Sequence, residues 1–127
     1  MRIDHIALYV QDLEAAKQFF ITYFEGVSNV MYHNPKTGLS TYFISFPDGG
    51  RIELMSRSEV STFAFEQFRA GYIHIAFSVG SREAVDSLTD RLSKDGFEVM
   101  SGPRITGDGY YESSIRGFED NIIEVTE

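Results

Sequence analysis

Two stretches of the chain share one alternating pattern of apolar and polar residues. Residues 3–10 and 72–79 both contain His-Ile-Ala, a large apolar residue, one further residue and valine, and the second copy begins 69 residues after the first. Alternation with a period of two, together with branched apolar residues, predicts a β-strand in each copy. The repeat therefore predicts two copies of one structural module.

A helix is predicted after each of these strands. Asp12 and Ser81 are suitable N-cap residues, again 69 residues apart, and each precedes apolar residues at helical spacing. Those residues are Leu13, Ala16, Phe20 and Tyr23 in the first copy and Val85, Leu88 and Leu92 in the second. Gly26 and Gly96 are predicted to end the two helices, because glycine is common just after a helix C-terminus.

Three further strands are predicted in each half, separated by segments rich in glycine, proline, asparagine and aspartate. They cover residues 27–33, 39–46 and 51–56 in the first half, and residues 97–101, 110–116 and 122–126 in the second. The prediction is an α+β fold, with βαβββ modules at about residues 1–57 and 72–127 of a single domain, 1–127. The connector, residues 58–71, contains Phe63, Phe65 and Phe68, and we expect a short helical or irregular segment packed on the body.

One histidine and one glutamate lie at matching places in each module. His5 and His74 belong to the first predicted strand of each copy, and Glu53 and Glu124 to the last. Their strand neighbours are apolar, so alternation directs all four side chains to the sheet face away from the helices. Taken singly, each histidine is typical of an ordinary strand residue and each glutamate of a solvent-facing one. The repeat of the pair favours a metal site, because ionisable groups among apolar residues are costly unless paired or ligating.

Two imidazoles and two carboxylates form a donor set that suits a borderline divalent metal ion such as Zn, Ni, Co, Mn or Fe. With these residues the chain resembles the vicinal oxygen chelate superfamily. This superfamily includes glyoxalase I, fosfomycin-resistance thiol transferases, bleomycin-resistance proteins, extradiol dioxygenases and methylmalonyl-CoA epimerase. The resemblance covers the whole chain and is carried by residues 4–7, 74–79, 110–113 and 119–124.

The resemblance implies a fold in which the two βαβββ modules form a cupped mixed sheet around one divalent metal ion per site. By likeness to glyoxalase I, the metal ligands are His5, Glu53, His74 and Glu124, and Zn or Ni is the favoured metal. Glu124 is expected to act also as the base, with Glu53 as the alternative. These roles follow from the resemblance and not from the spacing alone.

A set of two histidines and two glutamates is similar to that of glyoxalase I and the epimerases. Thiol transferases and dioxygenases of the superfamily use two histidines and one glutamate, and bleomycin binders have generally lost the set. The resemblance therefore implies a metal-dependent lyase or isomerase acting on a small oxygen-chelating substrate, for example a 2-oxoaldehyde–thiol adduct as in lactoylglutathione lyase. Residues 54–57 replace the asparagine-bearing segment that helps bacterial glyoxalase I hold glutathione, so another substrate is also consistent with the chain. The alternative is a small-molecule-binding, drug-sequestering or thiol-transferase resistance protein on the same fold.

The candidate substrate-binding residues are Tyr42, Tyr111 and Arg116. The competing interpretation for each is that its side chain only packs in the wall of the cupped sheet. The third histidine, His33, lies beside Asn34 at the predicted end of a hairpin and is not assigned to the metal.

Composition narrows the range of partners. The net charge of −8 argues against nucleic acid, whose binding requires clustered cations, and the absence of cysteine excludes disulfides, thiolate metal sites and a cysteine nucleophile. The sequence shows no signal-peptide pattern and no apolar run long enough for a membrane helix, so a cytoplasmic protein with a small-molecule substrate is expected. One module is too small to bury both faces of its sheet, so two modules are expected to pair. Superfamily members of this length commonly pair them between chains, so the resemblance implies a homodimer. In the expected arrangement, His5 and Glu53 of one chain meet His74 and Glu124 of the other, and pairing of the modules within one chain is the alternative.

Overall fold

The computed structural model describes residues 1–62, 68 and 70–127. The chain divides into two compact units, Met1–Phe63 and Ala64–Glu127. The elements of the first unit are β1 (Ile6–Tyr9), α1 (Leu13–Phe24), β2 (Val27–Ser28), β3 (Tyr32–His33), β4 (Ser40–Ser45) and β5 (Arg51–Ser56). Those of the second are β6 (His74–Ser78), α2 (Arg82–Lys94), β7 (Glu98–Ile105), β8 (Tyr111–Arg116), a 3-10 turn (Phe118–Asp120) and β9 (Ile122–Thr126).

Each unit contains one mixed sheet whose strand order repeats. The order is β1-β5-β4-β2 in the first unit, with β3 also paired to β4, and β6-β9-β8-β7 in the second. In both units the first strand pairs in parallel with the last, and the remaining pairs are antiparallel. The predicted α+β fold of two βαβββ modules is therefore confirmed.

Each helix covers one face of the sheet in its own unit. Helix α1 buries Leu13, Ala16 and three phenylalanines, and helix α2 buries Val85, Thr89 and Leu92. The sheet residues buried beneath the helices include Ile44, Ile52 and Leu54 in the first unit and Ile115, Ile123 and Val125 in the second. Because successive strand residues point to opposite faces, the residues between these positions lie on the other face, which we call the helix-free face.

The predicted N-caps are both confirmed. Asp12 accepts a hydrogen bond from the backbone N–H of Ala15, and Ser81 from that of Ala84. The end of α1 differs from the prediction, because Glu25 and not Gly26 adopts the left-handed conformation, with φ of 56°. Gly26 is needed there for space, since a Cβ atom would lie 2.6 Å from Cγ2 of Ile44.

Two of the predicted strands have different bounds in the structure. The strand predicted over residues 27–33 is divided into β2 and β3, because the Asn29 side chain accepts the backbone N–H of Phe43 at 2.8 Å and interrupts the ladder. The strand predicted to end at residue 101 continues to Ile105, with register shifts around Gly102. Glycine at this point, with φ of +83°, accommodates an irregularity within the strand instead of a turn after it.

Residues 63–67 and 69 of the predicted connector, with Phe63 and Phe65 among them, lie outside the described residues. Phe68 is described and its side chain is 91% exposed. Across the described part of the chain, neither helix has the length and apolar character needed to cross a bilayer.

Candidate metal centre

In the first unit, strand pairing brings His5 next to Glu53. Ile52 and Leu54 are buried beneath α1, so Glu53 between them points to the helix-free face. Strand β1 runs parallel to β5 with Ala7 opposite Glu53, and His5 lies one residue before β1 on the same face as Ala7. Nε2 of His5 is 3.6 Å from Oε2 of Glu53.

The second unit repeats this arrangement. Ile123 and Val125 are buried, and Glu124 between them points to the helix-free face. Strand β6 runs parallel to β9 with Ala76 opposite Glu124, which sets His74 beside that carboxylate. Nε2 of His74 is 3.1 Å from Oε2 of Glu124, and the glutamate side chain is only 17% exposed.

The surroundings of Glu124 oppose its ionisation overall. Burial is the largest effect and raises the pKa of this carboxyl, and the nearby charge of Glu112 acts in the same direction. His74, a hydrogen bond from Ser114 and the charge of Arg104 partly offset this increase. Ser114 lies directly opposite Glu124 on β8, and Arg104 on β7 lies opposite Glu112. Sequence reasoning missed all three neighbours, since only the strand register brings them to Glu124.

His5 has a different environment, built from two charged residues. Nδ1 of His5 is 3.0 Å from Oδ2 of Asp4, and the same carboxylate accepts a hydrogen bond from Arg51 on β5. The hydrogen bonds from His5 and then Arg51 hold the pKa of Asp4 below its usual range. The sequence signals were present, because Asp4 immediately precedes His5 and Arg51 lies two residues before Glu53, on the same strand face.

The structure does not bring the two candidate tyrosines to the helix-free faces. Tyr42 is buried beneath α1, where its hydroxyl donates to Glu14 at 2.5 Å. The Tyr111 hydroxyl donates to Asp86 of α2 at 2.6 Å. The register explains both positions, because Tyr42 pairs with the buried Leu54, and Tyr111 shares its strand face with the buried Ser113.

Arg116 is the third candidate for substrate binding, and His33 is the histidine that was not assigned to the metal. Arg116 shares the helix-free face with Ser114, and its Nε donates to Glu98 at 2.8 Å. His33 is exposed on β3, with Nδ1 at 2.9 Å from the hydroxyl of Ser40.

The two pairs have donor chemistry that fits a divalent metal ion. Each pair presents an imidazole nitrogen to a carboxylate oxygen, and both donor types are ordinary ligands of Zn and related ions. Each pair supplies two ligands, and within the described residues no group of three or more histidine, aspartate or glutamate side chains is placed to hold a metal ion.

Comparison with protein families identifies the superfamily to which the chain belongs. Residues 2–125 match the model of the Glyoxalase/Bleomycin resistance protein/Dioxygenase superfamily. The chain belongs to this superfamily. The uncharacterized protein YqjT of Bacillus subtilis is 28% identical to it over 110 residues, which are 84% of this chain and 84% of YqjT.

Solved structures of the superfamily share the fold. A glyoxalase family protein from Bacillus cereus has a TM-score of 0.83 at 24% identity, covering 100% of this chain and 93% of its own. The fosfomycin resistance protein FosX of Listeria monocytogenes has a TM-score of 0.75 at 21% identity, covering 98% and 89% of the two chains. A variant of FosX has been crystallised with Mn(II) and 1S,2S-dihydroxypropylphosphonic acid. At these identities the likeness shows the fold and leaves the substrate of this chain to be inferred from its own residues.

Proposed function

We propose that this member of the superfamily is a metal-dependent lyase or isomerase. Its substrate is a small molecule that chelates through adjacent oxygens, with 2-oxoaldehyde–thiol adducts as the first class to test. The observation that carries the proposal is the duplicated pair, His5 with Glu53 at 3.6 Å and His74 with Glu124 at 3.1 Å. The presence of both glutamates favours this activity over thiol transfer, for which the resemblance implies a single glutamate.

In the proposed site His5, Glu53, His74 and Glu124 hold one divalent cation, Zn or Ni in the first place and Co, Mn or Fe otherwise. When bound, such a cation supplies Lewis acidity that stabilises negative charge on a substrate oxygen. Each unit supplies two ligands, so two units must meet to complete the site. We propose that they belong to the two chains of a homodimer, with His5 and Glu53 of one chain meeting His74 and Glu124 of the second.

Glu124 is the proposed base. In the metal-free protein burial raises the pKa of its carboxyl, whereas a bound divalent cation would lower it, so Glu124 is proposed to act as the base when it is released from the metal. In this role Glu124 removes a proton from the carbon beside the substrate carbonyl and returns it to the neighbouring carbon. Ser114 donates a hydrogen bond to the same carboxylate and holds its orientation. Glu53, at the equivalent position of the first unit, is the second candidate for the base.

A direct test is turnover of 2-oxoaldehyde–thiol adducts after addition of each divalent metal. We expect Glu124→Gln to bind some metal and to lose proton transfer, while Glu127→Gln, which changes an exposed glutamate paired with Arg82, keeps wild-type activity. Wild-type turnover by Glu124→Gln contradicts the assignment of the base, and Glu53→Gln then becomes the decisive variant. Absence of metal and of turnover, together with tight binding of a small molecule, supports the sequestering function instead.

The proposed dimer has its own test. Light scattering at micromolar concentration is expected to give twice the 14.4 kDa mass of the chain, and a monomer mass contradicts the dimer. Mixing His5→Ala with Glu124→Ala chains tests the exchange of ligands. With exchange, one site of the heterodimer carries both substitutions and the other is intact, so part of the activity returns. No recovery in a mixture shown to form heterodimers contradicts the exchange.

A further inference from the structure

The carboxylate of Asp4 connects the side chains of His5, Arg51 and Arg2. Its Oδ2 lies 3.0 Å from Nδ1 of His5 and accepts a hydrogen bond from Nη2 of Arg51, and its Oδ1 accepts one from Arg2 at 3.2 Å. The other imidazole nitrogen of His5, Nε2, faces Oε2 of Glu53 at 3.6 Å. The two nitrogens of His5 therefore have different partners.

The distances from His5 to these two carboxylates decide the position of the imidazole proton. A neutral imidazole has one N–H donor and one lone-pair acceptor, and a carboxylate that is ionised at neutral pH can only accept. Asp4 lies within hydrogen-bond distance of Nδ1, whereas Glu53 at 3.6 Å from Nε2 does not, so the tautomer with its proton on Nδ1 is favoured. The lone pair on Nε2 then points to the side of Glu53, and the two acceptors together suit a divalent cation.

Phe43 restrains the same group of residues. It lies directly opposite Glu53 in the pairing of β4 with β5. The His5 and Phe43 rings pack edge to face with 5.3 Å between their centroids. The guanidinium of Arg51 lies 4.9 Å from the centroid of the Phe43 ring. Rotation of the His5 ring and movement of Arg51 away from Asp4 both disturb these contacts.

The second unit repeats the histidine and the glutamate without this network. Ile73 precedes His74, where Asp4 precedes His5, and Ile122 lies two residues before Glu124, where Arg51 lies before Glu53. Ser114 occupies the position opposite Glu124 that Phe43 occupies opposite Glu53. The network is therefore not a consequence of the repeated fold, which forms the second His–Glu pair without it.

We propose that Asp4 and Arg51 are positioning residues that hold His5 in its Nδ1–H tautomer, with Nε2 presented as a ligand beside Glu53. Arg51, which lies over the Phe43 ring, acts through Asp4 by holding the carboxylate beside Nδ1 of His5. The consequence for metal affinity rests on the proposed function, whereas the tautomer is a property of the metal-free protein. Loss of such an outer partner of a metal-binding histidine typically weakens metal affinity about 10- to 100-fold.

The first experiment measures the tautomer without metal. Long-range ¹H–¹⁵N NMR spectra of the metal-free protein, recorded roughly two pH units above the ordinary histidine pKa of ~6.5, identify which nitrogen of His5 is protonated. We expect the Nδ1–H form in the wild type and a shift toward Nε2–H in Asp4→Ala, with a smaller shift in the same direction in Arg51→Met. Arg2→Ala is the matched control, because Arg2 binds the other oxygen of Asp4 and is 75% exposed. A predominant Nε2–H form in the wild type, or unchanged tautomer populations in Asp4→Ala, overturns the proposal.

The second experiment measures affinity for Zn²⁺ alone by competition with a chelating dye. We expect Asp4→Ala to bind 10- to 100-fold more weakly and Arg2→Ala to bind as the wild type does. Unchanged affinity in both Asp4→Ala and Arg51→Met overturns the positioning role. A wild type that binds no Zn²⁺ but shows the Nδ1–H tautomer, lost in Asp4→Ala, contradicts the proposed metal function and supports the positioning of His5. The backbone NMR spectrum establishes that each variant is folded.

Discussion

Replacement of His74 by alanine tests the metal site through protein stability. A ligand that binds only the folded state stabilises it by RT ln(1 + [L]/Kd), which is about 2.7 kcal/mol when the free metal is at 100 times Kd. In a chain of 127 residues each kcal/mol changes Tm by about 4 °C, so saturating metal is expected to raise the wild-type Tm by about 10 °C. His74→Ala removes one of the proposed ligands and with it most of this increase.

The size of the loss in metal-induced stabilisation follows from the loss in metal affinity. Removing a direct ligand is expected to cost at least the ~100-fold in affinity that loss of an outer-shell partner reaches. The same metal concentration then stabilises His74→Ala by only about 0.4 kcal/mol, which is about 2 °C. The metal-free proteins differ less, because the His74 side chain is 33% exposed and such partly exposed ion pairs contribute about 0–1 kcal/mol.

Thermal unfolding with and without a titrated divalent metal, followed by circular dichroism, measures both quantities. His33→Ala is the matched control, since His33 lies on an exposed strand against Ser40 and outside both His–Glu pairs. We expect His33→Ala to keep the full metal-induced increase in Tm. An equal increase in His74→Ala and the wild type refutes the assignment of His74 as a ligand.

Two further predictions concern the second unit. The pKa of the Glu124 carboxyl is higher in the folded state than its value of 4.5 in the unfolded chain. Between these two pH values the folded state binds more protons than the unfolded state. As pH rises through this window, the metal-free wild type therefore loses stability relative to Glu124→Gln. Urea unfolding across pH measures the difference, and a difference that does not vary with pH contradicts the burial argument. Thr89 donates to the Val85 carbonyl at 2.6 Å and therefore accepts the hydrogen bond from the buried Ser113 hydroxyl. Thr89→Val is expected to cost about 1–3 kcal/mol in urea unfolding, because the substitution leaves the Ser113 hydroxyl without its acceptor. The double variant Thr89→Val/Ser113→Ala should cost less than the two single changes together, and strict additivity contradicts the coupling.

The sequence could predict the features of this fold that depend on local rules. Asp12 and Ser81 cap their helices as expected, because an N-cap depends on residues within one turn. The direction of Glu53 and Glu124 follows from alternation with the buried Ile52 and Ile123, which the sequence also displays. Both kinds of information lie within a few residues of the position in question.

Features that depend on register between distant strands could not be predicted in this way. Adjacent tyrosines such as Tyr110 and Tyr111 are equally suited to either face, and the pairing of β8 decides that Tyr111 meets α2. The same pairing sets Ser114 opposite Glu124, although ten residues separate them in the sequence. The division of the predicted strand over residues 27–33 depends on Asn29 reaching Phe43, a contact that alternation does not encode.

The charges near Glu124 give a final prediction, in which substitutions at two neighbouring positions change the pKa of Glu124 in opposite directions. Arg104 and Glu112 lie opposite each other on β7 and β8, and Arg104 lowers the pKa of Glu124 whereas Glu112 raises it. Removing the positive charge with Arg104→Met should therefore raise this pKa further, and removing the negative charge with Glu112→Gln should lower it. The carboxyl ¹³C chemical shift of Glu124 in the metal-free protein, followed across pH, measures each change.

Burial of Glu124 is common to both variants, so a difference in sign isolates the effect of the two charges from that of burial. Lys94→Met is the control, since Lys94 pairs with Asp90 on the exposed side of α2 and changes the net charge by the same amount as Arg104→Met. A shift in Lys94→Met equal to that in Arg104→Met indicates that net charge alone acts on Glu124. Shifts of the same sign in Arg104→Met and Glu112→Gln show that the two side chains act by changing the burial of the carboxylate, and this outcome refutes the electrostatic account of its pKa.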